Sequence, residues 1–194
     1  ADERADWDQE KIGELAYKAE VQEFSEPGGM MDQYSSAIGN LIYLESEPKI
    51  SIESMKPNLG TFVLGDSCEP KDTMEILQRC RDSRLAIFEK IKLQNPNFSV
   101  HEIKLEEISQ YNLNTDEATL LSGTIQNRDL LRQALPELKN AEPDHKKIGI
   151  LLSEHHSISR EVLKVSTPKI ETMLDAYINA GALGAKINGS GGGG

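Results

Sequence analysis

The sequence predicts an α+β fold, with sheet and helices in two layers. Short runs in the first third of the chain are apolar or alternate between apolar and polar residues, which is typical of strands. Later segments repeat apolar residues every three or four positions, as amphipathic helices do. Because the strands precede a series of helices, an α+β arrangement with non-local strand pairing is favoured.

The chain opens with helical sequence. Apolar residues recur at i, i+3, i+4 and i+7 between Asp8 and Phe24, which predicts an amphipathic helix. Pro27-Gly28-Gly29 ends it, because neither proline nor glycine continues a helix well. Asp32 then begins a second, shorter helix of small and apolar residues.

Three strands are predicted next, and turns that contain proline separate them. They cover residues 41–44, 49–54 and 61–65. The third strand leads into Asp66-Ser67-Cys68-Glu69-Pro70.

The rest of the chain is predicted to be mainly helical. The expected elements are a long helix over residues 72–94, a short strand over 98–103, and helices over 115–135, about 148–162 and 168–181. Thr115-Asp116 resembles a cap, and Pro136 is expected to end the helix before it. Pro168 lies in the first turn of the last helix and Gly181 just past its end, where these two residues are favoured.

Composition excludes several classes of function. The net charge of −11 provides no lysine and arginine stripe for nucleic acid. Cys68 and Cys80 lack the spacing of a zinc site or a disulfide framework, so reduced thiols are expected. No apolar stretch reaches the roughly 20 residues that cross a bilayer. We therefore expect a cytoplasmic protein that binds neither nucleic acid nor membrane.

Two segments suggest a site, and each has a plainer interpretation. Asp32 follows Gly28-Gly29, but a carboxylate in a first helical turn also caps orphan N–H groups. The chain ends in Gly189-Ser190-Gly191-Gly192-Gly193-Gly194, whose backbone could hold phosphate oxygens, but such tails also serve as linkers. The residues alone leave both questions open.

Three collinear segments resemble the GHMP family of small-molecule kinases, most of all its galactokinase branch. They are Gly28-Gly29-Met30-Met31-Asp32-Gln33-Tyr34, the stretch from Leu152 through Glu154-His155-His156 to Val165-Ser166-Thr167-Pro168, and the run from Gly181 to Gly194. A weaker match is Asn127-Arg128-Asp129-Leu130-Leu131-Arg132. The resemblance spans nearly the whole chain and implies that the glycine-rich ending is family sequence.

The resemblance implies a GHMP kinase fold and two domains. Residues 1–60 would be the remainder of an N-terminal domain with the catalytic aspartate, and residues 61–194 a C-terminal domain ending in the glycine-rich loop. The family's arginine motif for sugar recognition and its Pro-x-Gly-x-Gly-Leu-Ser-Ser-Ser loop do not occur here. We therefore expect a C-terminal portion that lacks a last strand and is inactive alone. Its strand region between residues 41 and 64 should either lack neighbours on one edge or pair with another chain.

The resemblance also assigns residues and cofactors. Asp32 would be catalytic, accepting or orienting the proton of a substrate hydroxyl, with Gly28 and Gly29 beside the substrate. Gly189, Ser190, Gly191, Gly192, Gly193 and Gly194 would close over substrate and phosphates. ATP and Mg²⁺ would be the cofactors, and a small-molecule sugar, phosphorylated at its anomeric hydroxyl, the partner. No protein metal site is expected.

The nature of the substrate stays open at this point. Galactokinases present a tyrosine from the helix after the third strand, whereas this chain has Leu77-Gln78-Arg79-Cys80-Arg81 there. A related sugar or a non-sugar metabolite such as mevalonate is the alternative substrate. A non-catalytic regulator or binding protein, or a scaffold without a small-molecule site, are the alternative functions.

The two neighbouring histidines are not expected to be catalytic. His155 falls on the apolar stripe of its helix and is predicted to be a hydrogen-bonded core residue, whereas His156 points elsewhere. Arg160 and Glu154 are predicted to be solvated or paired surface residues.

Overall fold

The computed structural model describes residues 7–70 and 73–193. In these ranges six α-helices and a small two-stranded sheet occur, so the predicted α+β class is confirmed. By internal contacts the chain divides into two units, residues 1–58 and 59–194.

The first unit begins with α1 (Gln9–Tyr17), which Asp8 caps by accepting a hydrogen bond from the Lys11 N–H at 2.7 Å. A π-helical turn (Lys18–Gln22) continues it, so the predicted single helix over 8–24 consists of two parts. Helix α2 (Met31–Ile38) begins where Asp32 predicted it. It buries Tyr34 against Gly13, where a Cβ would lie 2.7 Å from the tyrosine ring.

Strands β1 (Leu41–Glu45) and β2 (Ser51–Met55) form an antiparallel pair with Leu41 opposite Met55. Within the described residues they pair only with each other, so the expected unpaired edge is present. The predicted strand over 61–65 is wrong: these residues have no regular structure, and Phe62, Val63 and Leu64 are exposed. A strand needs a partner for its backbone groups, and the apolar pattern alone does not supply one.

The core of the second unit lies between α3 (Thr73–Lys92) and α4 (Thr115–Lys139). Its buried members are Ile87, Ile91, Ile103, Leu121 and Ile125. Phe98 joins them, with its ring centroid 5.6 Å from that of Phe88 and 6.2 Å from that of Tyr111.

The short strand predicted over 98–103 is also wrong, because turns and then a 3₁₀ helix (Leu105–Gln110) occupy this region. The Arg128 guanidinium holds the turns in place by donating to the carbonyl oxygens of Val100 and Ile103, each at 2.7 Å. Helix α4 begins as predicted, but its cap is Asn114, and it continues past Pro136 for one more turn.

Two helices complete the second unit. Helix α5 (His145–Glu161) is capped by Asp144, and α6 (Pro168–Asn179) by Thr167. Helix α4 approaches the end of α5 at Gly123, where a Cβ would lie 2.8 Å from the Val162 side chain. Among the described helices, none is both long and apolar enough to cross a membrane.

Candidate functional site

Asp32 is the second residue of α2, and its side chain is exposed. The N-cap residue of this helix, Met30, makes no capping bond through its side chain. None of the hydrogen bonds and ion pairs among the described residues involves the Asp32 carboxylate; Ser35 bonds only to its backbone oxygen, at 3.2 Å. The carboxylate is therefore not used as a cap and is open to solvent at the positive end of the helix dipole.

The residues near Asp32 in the sequence differ in how closely they are packed. Gly28 lies against buried Val21, while nothing lies within 4 Å of a Cβ placed on Gly29. Gln33 is buried and donates from Nε2 to Glu20 Oε2 at 2.8 Å, and its own Oε1 has no partner among the described residues. Glu20 lies in the π-helical turn, so this turn brings a carboxylate to the residue next to Asp32.

In the second unit, the connecting segment (residues 183–187) leads to the glycine-rich segment (residues 189–194) and lies along α5. A Cβ on Gly184 would lie 1.9 Å from the Gly149 carbonyl oxygen, so the two backbones are in direct contact. The Ala185 N–H donates to Ser153 Oγ at 3.2 Å. The Ile187 N–H donates to His156 Nδ1, also at 3.2 Å.

The prediction of which histidine is the core residue is wrong, because the two residues have the opposite positions. His156 is the core residue, only 6% exposed, and it is hydrogen-bonded through both ring nitrogens. His155 is half-buried, and its Nδ1 is buried with no partner among the described residues. Burial, and then the nearby charge of Lys186, lower the pKa of His155.

Glu171 joins α5 to α6 beneath the connecting segment. Its Oε1 accepts hydrogen bonds from His156 Nε2 at 2.9 Å and from the Ser166 hydroxyl, and its Oε2 pairs with Arg160 at 3.0 Å. Burial raises the pKa of this carboxyl, but the bonds from Ser166, Arg160 and His156 together outweigh burial and lower it below 4.5. Arg160 is thus a paired residue, as expected.

The glycine-rich segment has backbone angles that suit glycine. Gly189, Gly191, Gly192 and Gly193 have φ of 63°, 78°, 80° and 150°. The Gly192 N–H donates to the Val165 carbonyl oxygen at 2.6 Å, and a Cβ on Gly191 would lie 2.4 Å from the same oxygen. At Gly189, by contrast, nothing lies within 4 Å of a Cβ. Gly194 lies outside the described residues.

Residues 66–70 also contact the glycine-rich segment, although the sequence suggested no role for them. A Cβ on Gly193 would lie 2.6 Å from the Glu69 carbonyl oxygen. The Glu69 carboxylate accepts a hydrogen bond from the Thr167 hydroxyl, which also caps α6. The Asp66 carboxylate accepts the Cys68 N–H at 2.7 Å and so stabilises the turn.

Lys186, in the connecting segment, is a largely buried lysine. Its Nζ donates to the Ile187 carbonyl oxygen at 2.6 Å, and burial lowers its pKa. No cluster of three or more histidine, cysteine or acidic residues that could hold a metal ion occurs in the described ranges.

Residues 131–194, which include α5, α6 and the glycine-rich segment, match the family model described as GHMP kinases C terminal. Over these residues the chain is similar to the C-terminal domain of GHMP kinases. The predicted resemblance to this family is therefore confirmed.

Two known proteins extend the similarity beyond residues 131–194. A mevalonate kinase of Thermococcus gammatolerans is 28% identical over 185 residues, which are 95% of this chain and 46% of that protein. The crystal structure of Lactococcus lactis galactokinase complexed with galactose superposes with a TM-score of 0.77 at 16% identity. The superposed residues are 97% of this chain and 50% of the galactokinase, so the two folds are alike. This chain spans about half the length of both relatives.

The predicted site residues fall in both units. Asp32, Gly28 and Gly29 lie together in the first unit, and Gly189–Gly193 in the second. Their functional roles remain predictions. Sequence reasoning missed His156, Ser153 and Glu171, which hold the connecting segment, and Glu20 beside Gln33. Adjacent helical residues point about 100° apart, so knowledge of the buried face of α5 would have identified His156 as the buried histidine.

Proposed function

We propose that this protein is part of an ATP-dependent kinase that phosphorylates a hydroxyl group of a small molecule, with a monosaccharide's anomeric hydroxyl as the first candidate. The observation that carries the proposal is the Asp32 carboxylate, which is exposed in the first turn of α2 and is not used for capping. It lies in the segment that resembles the catalytic segment of GHMP kinases. The matched C-terminal domain and the relatives support the reaction class.

In the proposed mechanism Asp32 accepts or orients the proton of the substrate hydroxyl. The hydroxyl oxygen then attacks the γ-phosphorus of ATP, the bond to the β,γ-bridging oxygen breaks, and ADP leaves. The protein's main task in such a reaction is to position the reactants and to stabilise charge. Gly29, three residues before Asp32, has open space on its own surface, since nothing lies within 4 Å of a Cβ at that position.

The glycine-rich segment would supply backbone N–H donors to substrate and phosphates. The Gly192 N–H is already bonded to Val165, so the exposed part around Gly189 is where donors remain for a ligand. Mg²⁺ needs only one or two protein carboxylates when phosphate oxygens supply other ligands.

Mevalonate is the second candidate substrate. The relative that is 28% identical over 95% of the chain is a mevalonate kinase. In addition, no tyrosine occurs between Tyr43 and Tyr111, where galactokinases present one to the sugar. ADP release by the complete protein, measured with galactose, other monosaccharides and mevalonate in turn, distinguishes these candidates.

The central test is Asp32→Asn in the complete protein, with Glu10→Gln as the matched control. Glu10 is also an exposed acidic residue at the second position of a helix, α1. If Asp32 is a general base, the substitution should lower turnover about 10²- to 10⁴-fold, with folding and ATP binding retained. The control should keep its turnover and change stability by only about 0.3–1 kcal/mol. Equal, small effects of both substitutions would make Asp32 an ordinary helix residue and refute the proposal.

A further inference from the structure

The connecting segment is held against α5 at three successive positions of one helical face. The α5 residues lie at i, i+4 and i+7, which share a face of an α-helix. Their contacts run in the same order along both segments: Gly149 with Gly184, Ser153 with Ala185, and His156 with Ile187. His156 is therefore the last contact of this series before the glycine-rich segment begins.

A second bond fixes the other end of the loop. The Gly192 N–H donates to the Val165 carbonyl oxygen at 2.6 Å. Residues 188–191 thus form a short loop between His156, which binds Ile187, and Val165, which binds Gly192. Asn188 and Gly189 are the exposed residues of this loop, and at Gly189 nothing lies within 4 Å of a Cβ.

The hydrogen bonds of His156 define its chemical form. Because Nδ1 accepts the Ile187 N–H, it carries no proton, and Nε2 is left to donate to the Glu171 carboxylate. Ser166 and Arg160 hold that carboxylate. Glu171 therefore fixes the ring in the one neutral tautomer that can accept the Ile187 N–H.

We propose that His156 is a positioning residue for the glycine-rich segment. Its imidazole fixes the Ile187 backbone, and thereby places the loop of residues 188–191 where its N–H groups serve phosphoryl transfer. The effect of His156 on turnover rests on the kinase activity proposed above. Its effect on the conformation of the loop does not depend on that activity.

Two substitutions separate the two bonds of His156. In His156→Asn, the side-chain oxygen takes the place of Nδ1 and keeps the bond to Ile187, but the bond to Glu171 is lost. In His156→Gln, the side-chain NH₂ takes the place of Nε2 and keeps the bond to Glu171, but the acceptor for Ile187 is lost. His155→Gln is the control, because the adjacent His155 has no partner for its Nδ1 among the described residues.

The measurements are hydrogen exchange of peptides covering residues 184–193, kcat and KM, and the thermal midpoint, all on the complete protein. For His156→Gln we expect about tenfold faster exchange at the start of the loop, as for one lost hydrogen bond. We also expect kcat to fall about 100-fold, which misplacement by 1 Å can cause, with KM for ATP nearly unchanged. In His156→Asn the exchange rate and kcat should both stay near the wild-type values, and His155→Gln should change neither quantity.

Several outcomes overturn the inference. One is His156→Gln with wild-type exchange over residues 184–193. Another is that the Asn and Gln variants lose exchange protection and kcat to the same extent, and that both losses follow the decrease in thermal midpoint. His156 would then only support the fold. If the wild-type protein shows no kinase turnover, the proposed function fails, and the contrast in exchange between the two variants still decides whether His156 positions the loop.

Discussion

Gly149 and Gly184 approach so closely that neither position has room for a side chain. A Cβ on Gly184 would lie 1.9 Å from the Gly149 carbonyl oxygen, and a Cβ on Gly149 would lie 2.2 Å from the Leu183 carbonyl oxygen. In both cases the obstacle is backbone, which cannot rotate away as a side chain can. This contact sets the distance at which the connecting segment passes α5.

We therefore expect Gly184→Ala to destabilise the protein by about 1–3 kcal/mol, the usual range for an overpacked site. Urea denaturation measures this difference. Gly29→Ala is the control, because a Cβ there meets nothing within 4 Å, and its effect should stay within about 0.5 kcal/mol. Equal stability of the two variants would contradict the close contact.

Gly189 and Gly191 allow a comparison of strain with contact. Both have left-handed φ, 63° and 78°, so alanine at either position should cost about 1–2 kcal/mol. Only Gly191 also faces a backbone atom, the Val165 oxygen, 2.4 Å from a Cβ. We expect Gly191→Ala to be more destabilising than Gly189→Ala by a further 1–3 kcal/mol, roughly. Thermal unfolding of both variants tests this order.

Glu171 gives a pH dependence whose direction follows from its pKa. Because the folded protein lowers the pKa of this carboxyl below 4.5, the ionised form stabilises the fold above that pH. The stabilisation is lost as the pH falls through the folded-state pKa. Glu171→Gln should therefore reduce the free energy of unfolding by roughly 1–3 kcal/mol at neutral pH, where charged hydrogen bonds are lost.

The difference between Glu171→Gln and the wild type should shrink as the solution is acidified below pH 4.5 and through the folded-state pKa. Urea titrations at neutral and acidic pH measure it. A difference that stays constant over this range would show that the carboxylate's charge does not contribute.

Arg128 and Arg132 lie one turn apart on α4 and make unequal contacts. The Arg128 side chain is only 14% exposed and bonds to the Val100 and Ile103 carbonyl oxygens. The Arg132 side chain is 56% exposed and donates to one carbonyl oxygen, that of His101, at 2.7 Å. Arg128→Ala leaves two carbonyl groups without their donor and should cost about 2–4 kcal/mol. Arg132→Ala should cost less than about 1 kcal/mol. Similar losses for both would mean that the burial and the second hydrogen bond of Arg128 add nothing to the stability of residues 99–103.

Helix starts could be predicted because their signals are local. Asp32, Thr115 and Pro168 each lie in the first turn of a helix that the structure contains. Such signals act within a few residues, through caps and restricted backbone angles. The prediction that the helix ends near Pro136 was wrong, since the chain remains helical to Lys139.

The two wrong strands show where local signals end. Thr61-Phe62-Val63-Leu64 has strand-like composition, but a strand also requires a partner, and the described residues supply none. Residues 98–103 form turns, because Arg128 in a distant helix binds their carbonyl groups. Neither outcome depends on the segment's own composition.

The sequence by itself determined the helix starts and the place of Asp32 after Gly28-Gly29. Only the tertiary structure decided that His156, and not His155, is the buried histidine, and that it binds Ile187. Adjacent residues of a helix point about 100° apart, so the choice depends on which face of α5 the connecting segment covers. That face is set by the Gly149–Gly184 contact, between residues 35 positions apart, which no local pattern encodes.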